Sequence, residues 1–193
     1  MTQNSPAPAE FTASVCVFCA AREGHDPQLR ELAHKLGGLL AQNSWRLVYG
    51  AGDRGLMGAV ASGAAAAGGA SLGVIPQHLL PHERAGGRAN GPYLVTETMH
   101  ERKKLMFTNS DAVLVLPGGA GTLDEFFEVL TWAQIGLHRK PILLLDAGGY
   151  WQPLLALIDH VITSGFAEPG LRDLVTVCSD LAALQAALNQ RLA

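Results

Sequence analysis

The amino-acid sequence predicts an α/β fold in which a mainly parallel sheet is covered by helices on both faces. Short apolar runs alternate along the chain with longer segments whose apolar residues recur at helical spacing. The run at 111–116 has only apolar side chains after its aspartate, as a strand buried on both faces of a parallel sheet requires. Two of the strands lead directly into glycine-rich loops, and loops at the carboxyl ends of parallel strands line the ligand crevice of such sheets.

Length and composition predict a single domain with a short tail. A chain of 193 residues fits one ordinary α/β domain, which we place at 13–193. Residues 1–12 mix Pro, Ala, Ser, Gln and Asn without periodicity, so we expect a disordered tail there.

Charge and cysteine content restrict the partners and the compartment. The net charge is −3 and the basic residues are scattered, which argues against nucleic-acid binding and favours a small-molecule partner. Three cysteines, an odd number, argue against a disulfide framework, and the sequence contains neither a signal-peptide pattern nor an apolar run of membrane-spanning length. We therefore expect a cytoplasmic protein that binds neither nucleic acid nor membranes.

The predicted elements alternate through the domain. Strands are predicted at 14–19, 45–49, 70–75, 93–95, 111–116, 142–145 and 174–178. Helices are predicted from Pro27, after the glycine loop at 50–58, at 98–107, from Thr122, at 150–164 and after a capping Asp180. The helix after the 50–58 loop is so rich in Ala and Gly that it must pack very closely on a neighbour. Cys16 and Cys19 form a C-x-x-C pattern inside the first strand, where their side chains point to opposite faces, so core packing is favoured over redox chemistry.

A long loop is predicted at 77–92, between the third strand and the fourth. Its length is unusual for a compact domain and typical of a lid or binding loop. It carries His78, His82, Glu83, Arg84 and Arg88, but their spacing does not match a metal site. A solvated loop is therefore favoured, and we expect no metal ion.

The helix at 98–107 places an arginine in an apolar stripe. Arg102 shares a face with Met99 and Met106, so its guanidinium either reaches out to solvent or is held for an anion. Glu101 and Lys104 lie round the helix from that stripe and are expected to be ordinary solvated charges.

The loop at 116–125, Leu-Pro-Gly-Gly-Ala-Gly-Thr-Leu-Asp-Glu, joins the buried strand to the helix predicted from Thr122. Its glycines permit backbone angles that side chains forbid, so its N–H groups can converge on an anion ahead of a helix N-terminus. Thr122 and Glu125 also fit a capping box, in which Glu125 only accepts a backbone hydrogen bond. The loop matches neither the P-loop nor the dinucleotide fingerprint, because the Lys-Ser/Thr of the first and the glycine spacing of the second are missing.

These segments resemble the Lonely Guy family, the cytokinin riboside 5′-monophosphate phosphoribohydrolases, many of which carry the label lysine decarboxylase. The stretch at 117–125 fits that family's P-G-G-x-G-T-x-x-E pattern, and 99–103 fits M-x-x-R-K. A Gly-Leu-Met-Gly stretch at 55–58 follows a glycine turn, as in the family. The chain departs from the pattern at Ala20-Ala21, where Gly-Ser is usual, and at Ala51, which replaces the middle of three glycines; the loop near Gly86 also lacks an expected glutamate.

The resemblance implies a Rossmann-like, doubly wound fold, a homodimer, and hydrolysis of an AMP-type nucleoside 5′-monophosphate to a free base and ribose 5-phosphate. It implies a catalytic pair, Arg102 and Glu125, and a surrounding substrate site made of Met99, Lys103, Gly118, Gly119, Ala120, Gly121, Thr122, Leu123, Asp124 and Thr131. No cofactor is expected, and no site for the pyridoxal phosphate of a lysine decarboxylase is recognisable. The alternative is a carrier of the same fold that binds a nucleotide or cofactor without chemistry.

Two further expectations come from the residues themselves. Glu125, near a helix N-terminus, should remain ionised and stabilise the positive charge that develops as a ribosyl–base bond breaks. The helices from Met99 and Thr122 carry more large apolar side chains than one face against one sheet would bury, namely Phe107, Phe126, Phe127, Trp132 and Ile135. That excess predicts a partner surface and supports the homodimer.

Overall fold

The structure, a computed structural model, describes residues 10–83 and 91–192. Seven strands form one sheet: β1 Ala13–Phe18, β2 Trp45–Tyr49, β3 Ser71–Pro76, β4 Tyr93–Thr96, β5 Ala112–Val115, β6 Ile142–Leu145 and β7 Val175–Cys178. Every neighbouring pair is parallel, in the order β4-β3-β2-β1-β5-β6-β7. The predicted parallel sheet is confirmed, and its strand bounds agree with the predicted ones to within a residue or two.

Helices cover both faces of this sheet, as predicted for a doubly wound fold. They are α1 Pro27–Gln42, α2 Gly55–Ala66, α3 Leu80–Glu83, α4 Met99–Thr108, α5 Ala120–Gln134, α6 Gln152–Thr163 and α7 Leu181–Leu192, with 3-10 turns at Gln77–Leu79, Ala147–Gly149 and Pro169–Leu174. One buried apolar cluster joins the sheet to α1, α2 and α7, and a second joins its other face to α4, α5 and α6. None of the helices in the described part of the chain is long and apolar enough to cross a membrane.

The order of the strands reverses between β1 and β5. From β1 to β4 each new strand is added on one side, and the chain then returns to place β5 on the other side of β1, with Val15 paired to Ala112. The loops that leave β1 and β5 therefore diverge and open a crevice at the carboxyl edge of the sheet, which is where open parallel sheets bind ligands.

The first strand contributes to both clusters. Cys16 and Phe18 belong to the cluster under α4, α5 and α6, whereas Cys19 belongs to the one under α1, α2 and α7. Both thiols are free and buried, and burial raises the pKa of each well above its usual value. The prediction that the C-x-x-C pattern packs in the core is confirmed.

Helices α1 and α2 approach each other more closely than side chains would permit. A Cβ atom on Gly37 would collide with the carbonyl oxygen of Val60, and one on Gly63 would collide with the carbonyl oxygen of His34. The close packing predicted for the Ala- and Gly-rich helix is confirmed, and backbone atoms of the two helices form the contact.

Two predicted irregular segments lie partly outside the described residues. In the predicted 77–92 loop, residues 77–83 form the 3-10 turn and α3, so the prediction of irregular chain is wrong there, while Arg84 and Arg88 lie outside the described residues. In the predicted tail, residues 1–9 lie outside as well. The Arg46 guanidinium lies 4.4 Å from the centre of the Phe11 ring, and the Thr12 amide donates to Ser44 O at 2.8 Å.

The contact between α1 and α2 generates a stability prediction. Gly37→Ala should lower the free energy of unfolding by about 1–3 kcal/mol, because a methyl group directed at the backbone of α2 forces the helices apart. Gly38→Ala is the matched control, since the nearest atom to its added Cβ, the carbonyl oxygen of Gly63, is 4.0 Å away. That control should be neutral or should stabilise by up to about 1 kcal/mol, as alanine is the better helix former. Urea titration of both variants measures the difference, and equal stabilities would contradict the prediction.

Candidate active site

A cleft of about 360 Å³ lies where the loops after β1 and β5 diverge. Its wall is formed by Cys19, Ala20, Ala21, Arg22, Met57, Leu79, Met99, Arg102, Gly119, Gly121, Thr122 and Glu125. The predicted catalytic pair and four predicted substrate-site residues therefore meet at the crevice. The other predicted residues, Lys103, Gly118, Ala120, Leu123, Asp124 and Thr131, are not part of this wall.

A larger cavity, about 800 Å³, lies along α1 and α2. Arg30 and Glu23, two of its charged residues, form an exposed ion pair at 3.1 Å. Its wall includes neither the loop after β5 nor Arg102 and Glu125. Since catalysis needs converging functional groups more than volume, we take the smaller cleft as the candidate site.

The helix after β5 begins two residues earlier than predicted. Its N-cap is Gly119 and its first residue is Ala120, with no hydrogen bond from a side chain to the cap, and the Leu123 amide is already bonded to Gly119 O at 3.0 Å. The predicted start at Thr122 and the capping box of Thr122 and Glu125 are therefore wrong. The four amides from Gly119 to Thr122 have no acceptor within the helix, and three of these four residues line the cleft.

The glycines of this loop serve a different purpose from the predicted one. None of Gly118, Gly119 and Gly121 has a left-handed φ angle, so the expected backbone freedom is not used. A Cβ on Gly118 would collide with the Thr122 side chain, whereas Gly119 and Gly121 would meet nothing within 4 Å. Gly118 lets the loop pack on its own helix, and the other two leave the backbone open to a ligand.

Arg102 is buried and held from behind by the sheet. Its side chain is 5% exposed; Nε donates to Val74 O at 3.1 Å and Nη2 donates to Gly50 O at 2.8 Å. A Cβ on Gly50 would collide with the guanidinium, so the loop after β2 needs glycine at this position. The predicted alternative in which the Arg102 guanidinium reaches out to solvent is therefore excluded. The guanidinium is a fixed positive charge in the wall of the cleft.

Glu125 stands with Arg102 around the Cys19 thiol. Glu125 is 9% exposed and lies in the second turn of α5. Burial raises the pKa of the Cys19 thiol, the Glu125 carboxylate raises it further, and the Arg102 guanidinium opposes that rise. Both side chains therefore lie within electrostatic reach of the same thiol in the cleft wall.

Lys103 joins the two helices that carry the predicted catalytic pair. Its Nζ lies 3.0 Å from Asp124 Oδ2 and 3.1 Å from Glu128 Oε1, and its side chain is 7% exposed. Burial lowers the pKa of this ammonium, but the hydrogen bonds and charges of the two carboxylates outweigh that effect and raise it. Lys103 therefore ties α4 to α5 immediately beside Arg102 and Glu125.

Thr131 lies on a separate apolar groove between α5 and α6. This α5–α6 groove has a volume of about 220 Å³ and is formed by Phe127, Leu130, Thr131, Gln134, Leu157, Ile158, Val161, Phe166, Ala167 and Leu171. The structure therefore does not bring Thr131 together with the cleft of the same chain.

Sequence reasoning missed a capping box at the start of α4. Thr98 Oγ1 accepts from the Glu101 amide at 3.2 Å, while Glu101 Oε2 accepts from the Thr98 amide at 3.3 Å. Glu101 is exposed, as predicted, but it also caps the helix, a role that the Thr-x-x-Glu spacing could have revealed. Cys19, Met57 and Leu79 were also missed as wall residues, because their position depends on how the loops converge.

One departure from the family pattern coincides with a strained backbone. Ala51 has a φ of 60°, in the left-handed region that disfavours a side chain, and it is 1% exposed. Glycine at this position would adopt that angle without strain. Alanine at position 51 therefore adds backbone strain to the loop after β2, which also carries the carbonyl that binds Arg102.

No metal site is present in the part of the chain that the structure describes. Among residues 10–83 and 91–192, no group of three or more His, Cys, Asp or Glu side chains is arranged to hold a metal ion. The polar side chains of the cleft wall are Cys19, Arg22, Arg102, Thr122 and Glu125.

The family model described as "Possible lysine decarboxylase" matches residues 57–188. A cytokinin riboside 5′-monophosphate phosphoribohydrolase from Rhodococcoides fascians is 43% identical over 176 residues, which cover 91% of this chain and 89% of that protein. The chain belongs to the Lonely Guy family. A protein of the same description from Arabidopsis thaliana is 44% identical over 161 residues, covering 83% of this chain and 74% of its own.

Solved structures with the Lonely Guy fold include carrier proteins. The molybdenum cofactor carrier protein of Chlamydomonas reinhardtii matches with a TM-score of 0.68 at 25% identity, covering 93% of this chain and 98% of that one. A molybdenum cofactor binding protein from Rippkaea orientalis matches with a TM-score of 0.70 at 21% identity, covering 98% of this chain and all of that one (100%). These likenesses confirm the Rossmann-like fold of this Lonely Guy family member.

The buried ion pairs of Lys103 generate a pH-dependent prediction. Lys103→Met should destabilise the protein by about 1–2 kcal/mol near neutral pH, less than for a fully buried pair because Asp124 is exposed and screened by solvent. Since the folded pKa of Lys103 is raised, its stabilisation is complete below the unfolded value of about 10.4 and is lost as the pH rises through the folded value. The stability difference between wild type and variant should therefore be larger at pH 8 than near pH 11.

Lys104→Met is the control for this prediction, since Lys104 is exposed on the same helix. Guanidinium chloride would screen charges, so urea titration is the appropriate measurement. A Lys103→Met loss that is equal at both pH values, or equal to that of the control, would contradict the role of the ion pairs.

Proposed function

We propose that this chain hydrolyses the N-glycosidic bond of an AMP-type nucleoside 5′-monophosphate, either AMP or a cytokinin nucleotide, to a free base and ribose 5-phosphate. The observation that carries the proposal is the meeting of buried Arg102 and Glu125 with the uncapped N-terminus of α5 in one cleft. The relatives described as cytokinin riboside 5′-monophosphate phosphoribohydrolases support the reaction.

The phosphate of the substrate is proposed to bind at the N-terminus of α5. The amides of residues 119–122 lack acceptors within the helix, and the helix dipole adds a partial positive charge at the same end. The missing Cβ atoms of Gly119 and Gly121 let a phosphate approach the backbone. The cleft, at about 360 Å³, lies within the usual range of small-molecule sites, roughly 300–1,000 Å³.

The remaining wall provides the catalytic and base-binding groups in this proposal. Met57, Leu79 and Met99 supply apolar and polarisable surface for a purine and its substituent. Glu125 stabilises the oxocarbenium-like ribosyl cation and orients water for attack on the anomeric carbon. In the reaction the ribosyl–nitrogen bond breaks, the water oxygen bonds to the anomeric carbon, and the base leaves with a proton. Arg102 holds a ribose or phosphate oxygen through its guanidinium.

The other residues of the predicted substrate site receive supporting roles. We propose that Gly118, Ala120 and Leu123 shape the loop, while Lys103 and Asp124 fix the distance between α4 and α5 through their ion pair at 3.0 Å. A shift of one helix relative to the other would separate the guanidinium from the carboxylate, so these residues position the catalytic pair.

The proposed reaction is tested by incubating the purified protein with AMP and with AMP that bears an isopentenyl group on its exocyclic amine. Chromatography should show a free base and ribose 5-phosphate in equal amounts from at least one of them. If neither nucleotide is turned over, the hydrolase proposal is wrong. Binding without turnover would instead favour a carrier function, since the solved structures of this fold include a molybdenum cofactor carrier protein and a molybdenum cofactor binding protein.

Glu125→Gln tests the role of the carboxylate. Because the structure removes Glu125 from the helix cap, the neutral amide should keep the fold and lose the charge. We expect kcat to fall about a hundredfold or more with little change in melting temperature. Glu31→Gln, an exposed surface charge paired to Lys35 at 2.7 Å, is the matched control and should keep full turnover. A Glu125→Gln variant with near-normal kcat would exclude the carboxylate from catalysis.

We also propose that the protein is a homodimer that associates through the α5–α6 groove. The sequence predicted a partner surface from five large apolar side chains. Three of them, Phe107, Phe126 and Trp132, pack in or against the core, so they provide no partner surface. The exposed apolar side chains lie elsewhere on this side: Phe127 is 38% exposed, Ile135 64%, Leu137 69%, Leu157 48% and Phe166 85%. Phe127, Leu157 and Phe166 line the α5–α6 groove itself, so several large exposed apolar side chains share this surface.

The dimer is tested by light scattering after size-exclusion chromatography at micromolar concentration. Wild type should have twice the mass of the chain, and Phe166→Asp should shift the mass toward the monomer, because a carboxylate in the apolar patch opposes its burial. Leu94→Asp on β4, at the opposite side of the sheet and 42% exposed, is the control and should stay dimeric. A monomeric wild type would contradict the proposal.

We further propose a cytoplasmic location. The three cysteines, Cys16, Cys19 and Cys178, are free and buried. Free thiols are the usual state in the reducing cytoplasm, where disulfides are rare.

A further inference from the structure

The loop after β6 reaches across to the glycine loop after β5. The Tyr150 hydroxyl donates a hydrogen bond to the carbonyl oxygen of Gly118 at 2.7 Å. Within α5 the first carbonyl bonded by the helix itself is that of Gly119, which accepts from the Leu123 amide at 3.0 Å. Tyr150 therefore supplies a donor to the carbonyl that stands immediately before the helix.

The position of Tyr150 is built by a short, tightly bonded segment. Asp146 follows β6 and its amide donates to Cys178 O at 2.8 Å, while its carboxylate accepts from the Trp151 amide at 2.6 Å. Gly148 and Gly149, with φ angles of 62° and 77°, adopt left-handed conformations that reverse the chain. The Tyr150 ring then packs edge-on against Trp151, with centroids 4.8 Å apart. A half-exposed tyrosine is thus held rigidly over the glycine loop.

The peptide between Gly118 and Gly119 transmits this hydrogen bond to the cleft. A trans peptide is planar, so its C=O and its N–H point in opposite directions as one rigid unit. Fixing the Gly118 carbonyl toward Tyr150 therefore fixes the direction of the Gly119 amide. That amide is the first of the four helix-terminal donors, and Gly119 lines the cleft.

The peptide is restrained from the other side as well. Gly118 packs so closely on Thr122 that a Cβ would collide with the threonine hydroxyl, and Pro117 O accepts from the Ala20 amide at 3.2 Å. These contacts fix the path of the loop, but the absence of a Cβ at Gly118 and Gly119 leaves the tilt of the peptide between them weakly constrained. The Tyr150 hydroxyl restrains this tilt, because it donates to the carbonyl of that peptide.

We propose that Tyr150 is a positioning residue that orients the Gly119 amide for a phosphate monoester bound at the N-terminus of α5. The inference rests on the phosphate position given under the proposed function, although it concerns binding and is independent of whether hydrolysis follows. Preorganised donors bind an anion without reorganising, so removing the orienting contact weakens phosphate binding while leaving the base side of the cleft unchanged.

Tyr150→Phe tests the inference, because it removes only the hydroxyl. Calorimetric titration with ribose 5-phosphate and with adenosine separates the phosphate end of the ligand from the base end. The variant should bind ribose 5-phosphate about three- to tenfold more weakly than wild type, the range that losing one neutral hydrogen bond produces, and should bind adenosine with unchanged affinity. If AMP is a substrate, its KM should rise by the same factor with kcat changed less than about twofold.

Tyr93→Phe is the matched control, since Tyr93 is 41% exposed on β4 and is not part of the cleft wall. It should bind both ligands as wild type does. Equal ribose 5-phosphate affinities for wild type and Tyr150→Phe would overturn the inference. An equal loss of affinity for ribose 5-phosphate and for adenosine would also overturn it, because it would indicate a general structural role for Tyr150. A selective loss of ribose 5-phosphate in a protein that hydrolyses no nucleotide would uphold the inference while rejecting the proposed reaction.

Discussion

The parallel pairing of β1 with β5 is the constraint on which the rest of the site depends. Because β2, β3 and β4 occupy the other side of β1, the chain must reverse its winding to add β5, and the loops leaving these two central strands separate. The loops after β1 and β5 and the first turn of α2 are joined at the crevice by backbone hydrogen bonds, from the Ala20 amide to Pro117 O and from the Met57 amide to Ala20 O, each 3.2 Å long. The same connections that complete the sheet therefore bring the start of α5 to the cleft and hold it there.

Two adjacent basic residues of α4 illustrate how buried charges build the site. The Arg102 guanidinium donates to one carbonyl in β3 and to one just after β2. Lys103 points instead to carboxylates of α5, since successive residues on a helix lie about 100° apart. A buried charge destabilises a protein unless it is paired or hydrogen-bonded, so each side chain requires its partners in place. Helix α4 is consequently fixed toward the sheet and toward α5 at once, and the guanidinium has little freedom to move away from Glu125.

Glycine has three separate physical roles around the cleft. At Gly118 and Gly50 it avoids a collision, with Thr122 and Arg102 respectively. At Gly55 and Gly149 it allows a left-handed φ angle. At Gly119 it leaves the backbone open to a ligand. The glycines of a glycine-rich motif therefore do not share one function. The reason for each follows from its φ angle and from what a side chain at that position would contact.

The sequence by itself determined the alternation of strands and helices, the parallel sheet and the region of the site. Strands buried on both faces must be continuous apolar runs, and a local cap such as the predicted Asp180 accepts from an amide only three residues along the chain, as the structure confirms. The family motifs also identified Arg102 and Glu125 as candidate site residues from the sequence alone. Only the tertiary structure decided what these residues touch. Arg102 bonds to Gly50, Lys103 to Asp124 and Tyr150 to Gly118, partners 52, 21 and 32 positions apart in the chain. Local patterns carry no information about such pairs, because their distances are set by how the strands are ordered and how closely the helices pack on them.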